Sequence, residues 1–375
     1  MKAVKQLLLF LILVVFLSVL YRNQADPRAV PTLLSRIPDA ISGAKSGSSG
    51  ASSESAPAKK YIKWVDFQVT ADAMAQALRY DVESYGQEPH YSWVQLLAWL
   101  GTKYGGDFSR YRQKDLDNLM EKLRSGTSME ELTADSKYYP YYLEAYTAVL
   151  GGMVGPFEIQ VPDPETGDPV WTTKYGLKAF SPIAKNYPYQ DFDDFGVARS
   201  YGFRRQHLGH DLMGQVGTPV IAVESGYVEA IGWNQYGGWR LGIRSFDKKR
   251  YYYYAHLRKN YPYHKTLKEG SYVQAGDVIG YLGRTGYSAT ENTNNIDEPH
   301  LHFGLQLIFD ESQKDGNNEI WISCYELTRF LSANRSETVK NQETKEYYRV
   351  YQMKDPAIPG GAIMQSISGN RSDSP

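Results

Sequence analysis

The chain has 375 residues, with 41 Lys and Arg against 42 Asp and Glu and a formal net charge of −1. That balance excludes nucleic acid as the main partner, because a phosphate-binding surface carries a basic excess. Hydrophobic residues at 42% are enough for a core but not for a polytopic membrane protein, and the length suits two or three domains.

Lys2 and Lys5 flank an apolar stretch at residues 7–17 that continues through Val19 and Leu20. As a helix, residues 7–20 span about 21 Å, short of the ~30 Å hydrocarbon core. Counting Ala3 to Tyr21 approaches a full span, with Tyr21 and Arg22 at the water interface. No small-x-small cleavage site follows, so residues 1–22 are expected to be a retained signal anchor, the alternative being a cleaved signal peptide and a secreted protein. Either route places the rest of the chain outside the cytoplasm, and the anchor makes it a single-pass membrane protein. Residues 23–62, including ISGAKSGSSGASSESAPAKK at 41–60, read as a flexible linker because so little apolar surface cannot offset chain entropy.

Residues 63–155 carry helical periodicity. Thr70 can cap a segment with Met74, Ala75, Leu78 and Val82. Ser92 precedes Trp93, Leu96, Leu97 and Leu100. Leu116, Leu119, Met120 and Leu123 keep i, i+3, i+4, i+7 spacing. Ser128-x-x-Glu131 predicts a capping box, and Pro140 suits the first turn of a further helix ended by Gly151-Gly152. A small helical bundle follows, which names no chemistry and offers a surface for a protein partner.

From residue 156 the pattern changes to short apolar runs broken by Pro, Gly and Asp, which predicts an antiparallel β domain over 156–335. Residues 336–375 are polar and expected to be a loose tail. The single cysteine, Cys324, excludes a disulfide framework and a cysteine-rich zinc finger, and reads as a small buried hydrophobe.

Six of the seven histidines fall between 207 and 302. In HLGHD at 207–211, strand alternation puts His207, Gly209 and Asp211 on one face, with open space at Gly209. In HLHFGLQL at 300–307, Leu301, Phe303, Leu305 and Leu307 form an apolar face, and His300, His302, Gly304 and Gln306 the other. In YYYAH at 252–256, Tyr252, Tyr254 and His256 share a face. Imidazoles with a carboxylate suit Zn²⁺, which as a catalyst takes three protein ligands, leaving two histidines for proton transfer. His90, His210 and His264 read as ordinary surface or core residues.

These segments resemble the LytM/lysostaphin-type zinc metallopeptidases, which cut peptide bonds in bacterial peptidoglycan. HLGHD at 207–211, YAHL at 254–257, HLH at 300–302 and the Gly-rich hairpins of GTPVIAVESGYVEAIGW and EGSYVQAGDVIGYLGRTGYS carry the resemblance over about residues 195–310. It implies an antiparallel β-sandwich, one zinc ion per chain on His207, Asp211 and His302, and His256 and His300 as general base and transition-state stabiliser. Tyr201 falls where some members place a tyrosine that helps hold the tetrahedral intermediate. Peptidoglycan stem or crosslink peptides are the implied substrates; glycine bridges, the D-alanine crosslink and the L-alanine–D-glutamate bond all stay open. Residues 284–297 are expected to wall the substrate groove, with Arg244 and Arg258 as candidates for stem-peptide carboxylates. The alternative function is a membrane-tethered scaffold or activator of wall hydrolases in division or sporulation.

Overall fold

The computed structural model describes residues 61–200, 204–316 and 318–361. The expected anchor, nearly all of the linker, and Tyr201 lie outside them. Among the described residues no helix is long and apolar enough to cross a membrane.

The helical region forms α1 (Ala71–Ser84), α2 (Trp93–Tyr104), α3 (Gln113–Arg124), α4 (Met129–Thr133) and α5 (Tyr139–Leu150). Thr70 caps α1 by accepting from the Ala73 N–H, and Gly105 closes α2 in the left-handed region that an L side chain resists. The capping box at Ser128 and Glu131 is formed, and Pro140 stands in the first turn of α5. The α3 stripe of Leu116, Leu119, Met120 and Leu123 is buried as the spacing predicts. The α1 stripe is rotated: Ala73, Met74, Ala77, Tyr80 and Asp81 face inward while Val82 is exposed. Buried Asp81 causes this shift, since its carboxylate accepts from the Trp93 N–H at 2.7 Å and the Tyr175 hydroxyl at 2.7 Å and meets His90 Nε2 at 2.9 Å.

The strands are β1 (Val154–Pro162), β2 (Pro169–Leu177), β3 (Ala198–Ser200), β4 (Arg204–Gln206), β5 (His210–Met213), β6 (Pro219–Ile221), β7 (Gly226–Asn234) and β8 (Gly238–Ser245). They continue as β9 (Arg250–Ala255), β10 (Tyr272–Val273), β11 (Val278–Tyr281), β12 (His300–Leu307) and β13 (Ile320–Ile322), then helix α6 (Tyr325–Leu331), β14 (Thr338–Lys340), β15 (Tyr347–Arg349) and β16 (Met353–Lys354). The main sheet is antiparallel in the order β10-β7-β8-β9-β12-β13, and the first half of β12 also pairs with β5. β12 shows the alternation read from its sequence, with Leu301, Phe303, Leu305 and Leu307 in the core.

Two expectations about domain limits change. The described residues form one compact unit, and a single hydrophobic cluster runs from the helices into the sheet, so 63–155 and 156–335 are not separate bodies. Arg250, fully buried, joins them: Nη1 donates to the Ala148 carbonyl at the end of α5 (2.7 Å), and Nε donates to Glu224 (2.7 Å). A Cβ on Gly152 would fall 1.7 Å from Glu224 Oε1, so only glycine lets α5 approach so closely. The expected loose tail is folded at least through β16, which pairs with β1. Arg349 is buried there and donates to the carbonyls of Ala275 (2.7 Å) and Tyr351 (2.6 Å).

Candidate metal centre

The register of the sheet builds the site. His302 lies opposite Asp211 of β5 on one side and Ala255 of β9 on the other. His207 Nε2 lies 3.0 Å from Asp211 Oδ1 and 2.9 Å from His302 Nδ1, and that Nδ1 lies 3.0 Å from Asp211 Oδ1. A tetrahedral zinc with bonds of 2.0–2.1 Å has donor–donor edges of about 3.3 Å, so these three atoms need only a small outward relaxation to hold one. Among the described residues they are the cluster of His, Cys, Asp or Glu donors able to hold a metal ion. Gly209 does leave the space expected of it, but the His302 imidazole takes it: a Cβ there would sit 2.5 Å from the ring.

The electrostatics suit a cation. Burial opposes the Asp211 carboxylate, yet hydrogen bonds from His207 and His302 hold its pKa well below the carboxylate range. Burial likewise opposes a charged His207, but hydrogen bonds to Asp194 and Asp211 push it up to about 9. Burial lowers His302. A proton held among these donors is what a divalent cation displaces on binding.

His207 has a support that the sequence reading missed. Its Nδ1 donates to the Asp194 carbonyl (3.1 Å) and lies 3.1 Å from the Asp194 carboxylate, which leaves Nε2 free for a metal. Arg199 Nη2 bridges Asp194 (2.6 Å) and Asp211 (3.1 Å). The only sequence signal was the acidic stretch of Asp191, Asp193 and Asp194, in an irregular segment without periodicity. His210 turns away as expected, to Asp191 at 3.0 Å.

His256 reaches the site by a different route from the one expected. Tyr252 and Tyr254 point into the core, where their hydroxyls meet Glu224 and the Val223 N–H. His256 follows the end of β9 with φ of 61°, and this left-handed turn swings its ring out of their face. Its ring lies 4.8 Å from that of His300 and 5.8 Å from that of His302. His256 Nδ1 donates to the Thr285 carbonyl (2.9 Å) and His300 Nδ1 to the Glu298 carbonyl (2.8 Å). These contacts turn both Nε2 atoms toward the centre, and that of His300 lies 3.7 Å from Asp211 Oδ1. Burial, reinforced by the neighbouring His300 and His302, keeps His256 neutral by lowering its pKa well below the usual value.

A cavity of about 390 Å³ opens over these residues, walled by Phe192, Tyr287, Asn295 and Asp297. Of the segment 284–297, Tyr287, Asn295, Ile296 and Asp297 line this cavity, and Thr285 orients His256. A second cavity of about 750 Å³ shares His207 and His302 with the first. Arg244 and Arg258 line neither cavity. Arg244 is buried against Glu229 and Glu311, and Arg258 packs over the Tyr281 ring. His264, bonded to Thr266, and Cys324, buried with its thiol pushed up to about 12 by burial, lie apart from the centre.

Residues 205–315 match Peptidase family M23. Over 124 residues the chain is 40% identical to the L-Ala–D-Glu endopeptidase of Bacillus subtilis, which covers 33% of this chain and 36% of that protein. It is 40% identical over 98 residues to lysostaphin of Staphylococcus simulans, covering 26% of this chain and 17% of the relative. The chain therefore spans about a third or less of the length of these curated relatives. The solved catalytic domain of S. simulans lysostaphin is 35% identical, covers 32% of this chain and 80% of that chain, and has a TM-score of 0.27.

Proposed function

The chain carries an M23 metallopeptidase domain at 205–315, and from that premise we propose that it is a zinc-dependent endopeptidase hydrolysing peptide bonds of bacterial peptidoglycan. The observation that carries this reading is the convergence of His207 Nε2, Asp211 Oδ1 and His302 Nδ1 to within 3.0 Å of one another. Identity to an enzyme named for the L-Ala–D-Glu bond supports a wall peptide as substrate.

In this reading His207, Asp211 and His302 hold one zinc ion. When bound, zinc supplies Lewis acidity, polarising a peptide carbonyl and acidifying water. His256 Nε2, neutral and oriented by Thr285, takes the proton of the attacking water and returns it to the departing amine. His300, with Nδ1 donating to the Glu298 carbonyl, steadies the carbonyl oxygen when its ring also carries a proton on Nε2, that N–H donating as negative charge develops. Asp194 fixes the tautomer of His207, and Arg199 balances the charge of Asp194 and Asp211. Tyr201 is proposed as a further hydrogen-bond donor to the tetrahedral intermediate. The apolar stretch at 7–20 behind Lys2 and Lys5 supports a membrane-anchored protein acting outside the cytoplasm. Five convergent site residues argue for catalysis over the alternative of a scaffold.

The test is reconstitution. Full-length protein should clear a suspension of purified peptidoglycan, lose that activity to a chelator and regain it with one zinc per chain. His207→Ala should neither bind zinc nor clear the suspension. Clearing that persists in the metal-free protein would overturn the proposal.

A further inference from the structure

The 750 Å³ cavity beside the metal centre has a distinctive charge arrangement. Its acids are committed: Glu229 pairs with Arg244 (3.3 Å) and Lys314 (3.4 Å), and Glu319 accepts from Trp321 Nε1 (2.7 Å). Asp315 stands 89% exposed at the rim. Two guanidinium groups are not committed. Among the described residues, neither Arg240 nor Arg205 makes an ion pair, and Arg205 Nε is buried without an acceptor.

Register puts Arg240 in line with the reacting centre. It lies opposite Gly232 on β7, and the pairing of Leu241 with Tyr254 sets it level with Ala255, which lies opposite His302. The line across the sheet is thus Gly232, Arg240, Ala255, His302, Asp211. Two strand spacings separate Arg240 from His302, about 10 Å, the reach of about three residues of extended chain. The one position between Arg240 and His302 on this line is Ala255, whose small side chain leaves the floor open. On the other side, Arg205 precedes His207 by two residues and packs over the Tyr287 ring at 4.9 Å.

We propose that this cavity is a carboxylate subsite, in which Arg240, flanked by Arg205, receives a free carboxylate of the peptide being cut at the metal centre. A guanidinium offers a planar fork that matches a carboxylate with two parallel hydrogen bonds. Half-buried and unpaired, Arg240 has its donors available for such a ligand, whereas Arg244, four residues further along the same face of β8, has already spent its donors within the fold. The inference rests on the peptidase reading and narrows it: the substrate is a wall peptide with an unmodified carboxylate within a few residues of the scissile bond.

The experiment compares two stem peptides, one with its side-branch and α-carboxylates free and one with them converted to carboxamides, as substrates for the zinc-loaded full chain. The expected kcat/KM ratio favours the carboxylate form by about 10- to 100-fold. Arg240→Ala should bring that ratio close to one, mainly through KM, and Arg240→Lys should restore part of it. Thermal melting checks that the variants fold. A folded Arg240→Ala protein with an unchanged ratio overturns the subsite. Should the parent cut neither peptide, the peptidase reading fails separately, and calorimetry with the same two peptides decides the subsite. Tighter binding of the carboxylate peptide that disappears in Arg240→Ala supports it; equal affinity for both overturns it.

Discussion

At the scale of single residues, Gly209 and Asp194 act through their neighbours. Gly209→Ala puts a methyl group 2.5 Å from the His302 ring and 2.9 Å from the Phe303 carbonyl, so His302 Nδ1 must leave its place beside Asp211. A drop in zinc affinity of 10-fold or more is expected by competition with a chromophoric chelator, and unchanged affinity would contradict the placement of His302. Asp194→Asn removes the charge that orients His207, and metal affinity or activity should fall about 10- to 100-fold. His256→Ala should lower turnover by about 10²- to 10⁴-fold while one zinc stays bound; loss of zinc from that variant would count against its role as a base. The positions of Asp211 and His302 were legible because strand alternation fixes which residues share a face, whereas His207 and Gly209 fall in the connection between β4 and β5, off the strand on which the sequence placed them. The orientation of His256 was not, since alternation assigns it to the core with Tyr254 and only its left-handed backbone reverses that. Asp194 was hidden for a related reason: an irregular segment has no period from which to read a neighbour.

At the scale of elements, one buried cation joins α5 to the sheet alongside their shared apolar cluster. Arg250 neutralises Glu224 and Asp247 and closes the α5 C-terminus through the Ala148 carbonyl. Arg250→Ala leaves Glu224 buried and unpaired at that point, so a loss of about 3–5 kcal/mol in unfolding free energy is expected from urea denaturation. A loss under 1 kcal/mol would mean that the helices are held by apolar packing alone. The helices themselves were plain in the sequence, where the α3 stripe and the Ser128 capping box are local signals. Their fusion with the β domain was not, because Arg250, Glu224 and Gly152 are far apart along the chain and none is unusual alone. The strands after residue 336 escaped for want of length: segments of two or three residues show no alternation.

At the scale of the whole molecule, the C-terminal strands affect how stability varies with pH. Burial pushes the Asp277 carboxyl up to about 6, partly offset by Arg349 at 3.6 Å. Because the folded-state pKa is raised, the native state takes up the proton first, and stability from this group is full below about 4 and declines as pH rises through 6. Across that window the effect is about 3 kcal/mol. Asp277→Asn should flatten this component, so the difference in unfolding free energy between variant and parent should grow from pH 4 to pH 6 and then level off. A difference constant with pH would show that Asp277 stays ionised throughout.

The peptidase account is tested most directly by mass spectrometry of purified peptidoglycan after incubation with the zinc-loaded full-length protein, beside its His302→Ala form. The account predicts new peptide amine and carboxyl termini with the parent and none with the variant, and the masses identify the bond. No new termini from the parent, with zinc confirmed bound, would contradict it.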